Sequence, residues 1–116
     1  MRDAAYPFFS LEPDLTHEIL GHSPMLSYES FGEFTQEIGY ASLGATDEEL
    51  KKIAAIYWYT VEAGIINVEG KNKVYGSALL TSTEELDYVN SGKPKFLEFD
   101  IPRIVRDHLD FPYSSI

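Results

Sequence analysis

The chain has 116 residues, no cysteine and a formal net charge of −10. Such a length holds one domain at most, and 44% hydrophobic with 14% aromatic residues supports a packed core rather than disorder. The acidic balance argues against nucleic acid or an anionic membrane as partner, and no apolar stretch reaches membrane-spanning length. Without cysteine there are no disulfides, thiolate metal sites or cysteine nucleophiles, so any metal must be held by nitrogen and oxygen. No signal-like apolar run follows Met1-Arg2-Asp3, and a cytoplasmic protein is the expectation.

Residues 1–12 carry little pattern, and Tyr6-Pro7-Phe8-Phe9 reads as a packed, proline-broken loop. The stretch from Pro13 to Pro24 is different: it holds His17 and His22, two of only three histidines. Asp14 is placed to cap a short helix over Leu15–Leu20, with Gly21 as its stop and Pro24 beyond it. A zinc-protease signature sets its histidines four apart; five apart on a continuous α-helix leaves them about 140° from each other. Both can then reach one metal only if the helix ends between them, at Gly21. The alternative is a short helix with incidental histidines.

Ser30-Phe31-Gly32-Glu33 fits a capping box opening a helix with Phe31, Phe34, Ile38 and Ala41 on one face and Gly44 at its end. Thr46-Asp47-Glu48-Glu49 is a second box, opening the longest helix, Asp47 to about Ala63, closed by Gly64. Leu50, Ile53, Ala54, Tyr57 and Val61 form its core stripe, with Trp58 and Glu62 as i,i+4 neighbours on the flank. Taken alone, Glu62 reads as a solvated carboxylate. Ile65–Val68 and Lys73–Tyr75 flank Glu69-Gly70-Lys71-Asn72 as a hairpin. Ser82-Thr83-Glu84-Glu85 opens a helix to about Asn90, stopped by Gly92 and Pro94. Phe96–Phe99 alternates like a short strand, Asp100 caps a last helix through Ile104 and Val105, and the apolar end at Phe111–Ile116 does not read as a solvated tail. There is no repeat, linker or low-complexity segment.

Two imidazoles and one carboxylate on one face of a metal are the ligand set of an iron oxygenase. His17 and His22 supply the nitrogens, but periodicity does not choose among the many carboxylates. The run Pro13-Asp14, His17-Glu18, Leu20-Gly21-His22, then Gln36-Glu37-Ile38-Gly39, Ala41–Ala45, Tyr57-Trp58, Thr60-Val61-Glu62, Tyr75-Gly76 and Leu79-Leu80 closely resembles the pterin-dependent aromatic amino acid hydroxylases, from about Arg2 to Pro94. The resemblance implies a mainly α fold with a small β-hairpin, part of that family's catalytic domain. It implies iron ligands at His17, His22 and Glu62, with His108 outside the motif. It places Arg2 at the substrate carboxylate with Ser10 assisting, Pro13 and Trp58 against the substrate ring, Glu18 near the pterin and Tyr57 near the iron. Thr81 stands where the family has a serine bonded to a ligating histidine, and Glu85 matches a buried acid.

Departures are Ala63, where animal members usually carry Phe, which implies a wider substrate pocket, and Ala78 in place of a usual glycine. The match also implies that residues 1–116 are a single partial catalytic domain, without the preceding segment that wraps the pterin and without a C-terminal part, so that the chain alone is expected to be inactive and to form a homo-oligomer. The implied activity is ring hydroxylation of an aromatic amino acid, phenylalanine favoured, with Fe(II), O2 and a tetrahydropterin as co-substrate. Two rivals stand beside it: a non-catalytic metal-binding fragment or interaction module, and a zinc hydrolase with Glu18 as base.

Overall fold

The computed structural model describes residues 2, 4, 5, 7, 13–107 and 109. Most of Tyr6–Phe9, Ser10, His108 and the Phe111–Ile116 end therefore lie outside the described residues. The expectation of a mainly helical chain with one hairpin holds.

The first helix begins as its sequence suggests, with Asp14 Oδ1 accepting the His17 N–H at 2.9 Å and the Asp14 carbonyl accepting Glu18 N–H at 2.9 Å. It does not end at Gly21. A π-helical segment, π1 (His17–His22), runs straight into α1 (Ser23–Leu26), whose first turn takes Pro24 without difficulty. Gly21 serves a different purpose: it is buried, and a Cβ there would lie 2.8 Å from Ser77 Cβ. The glycine is a site of close approach between helices, not a stop.

α2 (Glu29–Ser42) starts one residue before the expected box. Ser30 falls inside the first turn, and the Tyr28 carbonyl instead accepts Phe31 N–H at 3.1 Å and Gly32 N–H at 2.9 Å. Of the expected face, Phe31 and Ile38 are half-buried while Phe34 and Ala41 remain exposed. Phe31 meets Tyr75 edge-on, ring centroids 6.0 Å apart, which ties α2 to the far end of the hairpin. Gly44, with φ +75°, ends the following turn.

α3 (Asp47–Tyr57) carries a complete capping box: Thr46 Oγ1 accepts Glu49 N–H and Glu49 Oε2 accepts Thr46 N–H at 2.8 Å. It continues into a second π-helical segment, π2 (Trp58–Glu62), so the helix has the length its sequence implies. Its most buried members are Ala55 and Val61; of the expected stripe, Leu50 is still 38% exposed. β1 (Ile65–Val68) and β2 (Lys71–Val74) pair antiparallel, Ile65 opposite Val74. Their turn is shorter than expected, only Glu69 and Gly70, both at positive φ as a type I′ turn needs. Asn67 supports it, Oδ1 accepting Gly70 N–H at 3.1 Å.

α4 (Ser77–Leu80), which periodicity did not suggest, lies against π1. α5 (Thr83–Asn90) is capped by Ser82, whose Oγ accepts Glu85 N–H, and stops before Gly92 at φ +71°. Phe96–Phe99 is not a strand: among the described residues no third strand pairs with the hairpin, and Leu97 and Phe99 stay more than half exposed. α6 (Ile101–Asp107) follows Asp100 and packs on α3, burying Ile104. Among the described residues no helix is long and apolar enough to cross a membrane.

Candidate metal centre

The two π segments carry the cluster. A π-turn bonds each carbonyl to the N–H five residues on, widening the helix and bringing residues five apart to one side. In π1 that bond runs from Ser23 N–H to the Glu18 carbonyl; in π2 it runs from Ala63 N–H to the Trp58 carbonyl at 2.8 Å. The 140° problem of an α-helix is thus solved by changing the helix rather than by ending it. The transition at π2 disturbs the α-helical bonding, and Thr60 Oγ1 donates to the Ile56 carbonyl at 2.7 Å.

His17 and His22 Nε2 lie 3.0 Å apart, rings edge to face. Glu62 closes the triangle, Oε2 at 3.3 Å from His17 Nε2 and Oε1 at 3.2 Å from His22 Nε2. One ligand atom from each residue lies within 4.8 Å of the others, and their side chains are only 12–13% exposed. Glu62, read alone as a solvated carboxylate, is instead drawn inward by two imidazoles.

Electrostatics agree with a site built for a cation. The hydrogen bond to Glu62 raises the His17 pKa against the opposing effect of burial. Burial pushes Glu62 up, but bonds from His17 and Ser77 and the charges of His22 and His17 outweigh it and hold it below the usual range. Tyr57, the last residue of α3, is pushed up to about 12 by burial and by the neighbouring Glu62 and Glu18 carboxylates, so its hydroxyl stays protonated. Two imidazole nitrogens at 3.0 Å cannot both present bare lone pairs to each other; a proton or a metal must share the space.

Thr81 selects the tautomer. Its hydroxyl donates to the Ser77 carbonyl at 2.7 Å, so toward His17 Nδ1, at 3.2 Å, it can only accept. Nδ1 therefore carries the proton and Nε2 keeps the lone pair a metal needs. Arg2 joins the same neighbourhood, Nε on Asp14 Oδ2 at 3.2 Å and Nη1 on the Thr81 carbonyl at 2.6 Å. Trp58 and Ala63 are half-buried at the two ends of π2, and Ala78 is half-buried in α4. Pro13 and Glu18 are exposed beside the cluster. Glu85 is half-buried rather than buried, because it stands in the solvent-facing first turn of α5. Sequence reasoning missed Ser77, whose Oγ donates to Glu62 Oε2 at 2.8 Å. No spacing rule points to a serine fifteen residues after a ligand.

The donor set, two imidazoles and a carboxylate with neighbours that fix tautomer and charge, fits a ferrous ion with open positions. Comparison with known proteins agrees. A family model described as "Biopterin-dependent aromatic amino acid hydroxylase" matches residues 1–113. Phenylalanine-4-hydroxylase of Bos taurus is 48% identical over 89% of this chain, and human tyrosine 3-monooxygenase is 44% identical over all of it. The chain spans about a quarter of these relatives' length, 23% and 22%. Among solved structures, phenylalanine hydroxylase of Colwellia psychrerythraea superposes with TM-score 0.83 at 33% identity, over 91% of this chain and 41% of that one. The Chromobacterium violaceum enzyme, with bound iron(III) and 7,8-dihydrobiopterin, gives 0.82 at 33% identity over 90% and 39%. These matches leave the zinc-hydrolase alternative without support. From the arrangement of His17, His22 and Glu62 and the match over residues 1–113, the chain belongs to the biopterin-dependent aromatic amino acid hydroxylases.

Proposed function

We propose that this chain is the iron-holding part of a catalytic domain that hydroxylates the ring of an aromatic amino acid, phenylalanine in preference to tyrosine or tryptophan. The observation that carries the reading is the convergence of His17 Nε2, His22 Nε2 and a Glu62 oxygen, with His17 Nδ1 committed to Thr81. Bound iron(II), with a tetrahydropterin beside it, would supply activation of O2 for attack on the ring.

The chain's own residues have the complementary tasks. Glu62 contributes one negative charge and leaves the centre net positive. Thr81 keeps His17 in the ligating tautomer. Arg2, already anchored by Asp14 and the Thr81 carbonyl, is set to receive the substrate carboxylate, with Ser10 assisting. Pro13 and Trp58 flank the ring, while Ala63 and Ala78 bound its pocket. With both groups bound, Glu18 would face the pterin, Tyr57 would stand by the iron as a protonated donor, and Glu85 would serve, like Thr81, behind the ligands. Holding reactants in one geometry and excluding water are the effects such a site can contribute.

The experiment is a chimaera: residues 1–113 replace the matching segment of the Chromobacterium violaceum enzyme, and iron- and tetrahydropterin-dependent product formation is followed. Turnover is expected with phenylalanine above tyrosine and tryptophan, and it should vanish with Glu62→Gln. A folded, iron-loaded chimaera that hydroxylates none of the three contradicts the proposal and favours the rival reading, a metal-binding module without catalysis.

A further inference from the structure

Ser77 is 1% exposed, and its hydroxyl has one proton with three polar neighbours. These are Glu62 Oε2 at 2.8 Å, His22 Nε2 at 3.2 Å and the Val61 carbonyl at 3.3 Å. The ionised carboxylate is both the strongest acceptor and the nearest, so the proton goes to Oε2. Buried where helix π1 and helix α4 meet, the serine has no solvent to turn to in place of these three partners. When His22 Nε2 directs its lone pair at a metal, it offers the hydroxyl no proton, and the bond to Glu62 remains the best one available.

We infer that Ser77 is a positioning residue that restricts Glu62 to one-oxygen ligation. Both carboxylate oxygens face an imidazole, Oε2 at 3.3 Å from His17 Nε2 and Oε1 at 3.2 Å from His22 Nε2, and the serine O–H is what distinguishes them: it occupies a lone pair of Oε2 and leaves Oε1 the freer donor to a metal. This rests on reading His17, His22 and Glu62 as a metal centre. A carboxylate that chelates through both oxygens fills a further coordination position; one held open by a hydroxyl keeps that position for the small molecules the site must admit. Ser77 would thereby set how many positions stay open, without itself touching metal or substrate.

The test uses Co(II) as the probe on the 116-residue chain and on Ser77→Ala. Alanine removes one oxygen from a helical position and is a stronger helix former, so the fold should survive. Visible Co(II) absorption weakens as coordination number rises. The alanine chain is expected to show a weaker band per bound metal and an affinity lower by roughly 10–100-fold. A serine that only supported the fold would lower the melting temperature of the metal-free chain and leave the band alone; an unchanged band overturns the inference, whatever the affinity or stability does. A second measurement needs no Ser77 variant. The infrared separation of the Glu62 carboxylate stretches, identified by difference against Glu62→Gln, is wide for one-oxygen and narrow for two-oxygen ligation, and a narrow separation in the unaltered chain also overturns it. If the unaltered chain takes up no Co(II), the metal reading itself fails and this inference falls with it, an outcome distinct from an unchanged band in the alanine chain.

Discussion

Replacing Gly21 by alanine separates two accounts of that glycine by the sign of the effect. An ordinary helical glycine is about 1 kcal/mol less favourable than alanine, so on propensity alone the substitution should stabilise. Here the added methyl would lie 2.8 Å from Ser77 Cβ, 3.1 Å from the Ser77 carbonyl oxygen and 3.2 Å from Ser77 Cα. Two of those three atoms are backbone, so helix α4 must move as a unit. Overpacking of this kind costs about 1–3 kcal/mol, which outweighs the propensity gain and leaves the variant up to about 2 kcal/mol less stable. Gly39 is the internal control: it lies within α2 with nothing inside 4 Å of a built Cβ, and Gly39→Ala should stabilise by about 1 kcal/mol. Urea unfolding of the metal-free chains reads both. Because helix α4 holds Ser77 on Glu62 and ends at Thr81 beside His17, Gly21→Ala should also weaken iron binding, whereas Gly39→Ala should not. Equal stabilisation by the two substitutions, with iron affinity unaltered, would refute the packing argument.

Thr81→Val, which keeps the shape and removes the acceptor for His17 Nδ1–H, should lower iron affinity by about 10–100-fold, with Thr81→Ser largely restoring it; chelator competition measures both. The His17 pKa is raised in the folded, metal-free chain, so its pairing with Glu62 contributes stability that is complete below the unfolded value near 6.5 and lost as pH rises through the folded value. Glu62 is depressed and contributes above its unfolded value, losing that contribution as pH falls through its folded one, so metal-free stability should peak between the two. Iron must displace the His17 proton, and its affinity should fall about tenfold per pH unit below that raised pKa; a flat profile by titration in buffers of stepped pH would contradict the pairing. Thr46→Ala should cost about 1 kcal/mol in urea unfolding through loss of the α3 cap. Ala63→Phe in the chimaera should shift the preference among the three amino acids by roughly 1–3 kcal/mol, read from ratios of kcat/KM. Leu15 just before π1, Ile19 and Leu20 on it, and Phe96, Leu97 and Phe99 after α5 leave broad apolar surface, so light scattering on the isolated chain should show self-association.

Local chemistry made much of this fold legible. Thr46, Ser82 and Asp14 announce helix starts because each satisfies a backbone donor within three residues, a relation wholly contained in the sequence. Gly44, Gly70 and Gly92 announce turns because their positive φ is a local demand. Gly21 misled for the opposite reason: what it accommodates is Ser77, fifty-six positions away, and no local rule contains that contact. The π-turns were illegible for a related reason, since a five-residue histidine spacing is compatible with either a broken helix or a widened one. Phe96–Phe99 alternates as a strand would, yet a strand needs a partner, and pairing is not a property of one segment. At the site, spacing gave His17 and His22 and left Glu62 among nineteen acidic residues until the family resemblance chose it. Ser77 escaped both routes and needed coordinates.

The most direct test is iron stoichiometry. The unaltered chain, loaded anaerobically with Fe(II) and freed of excess metal, is predicted to retain one equivalent. His17→Ala, His22→Ala and Glu62→Ala should each lose it, while His108→Ala should keep it. Retention of a full equivalent by any of the first three, or loss in all four alike, would contradict the assignment of His17, His22 and Glu62 as the metal centre.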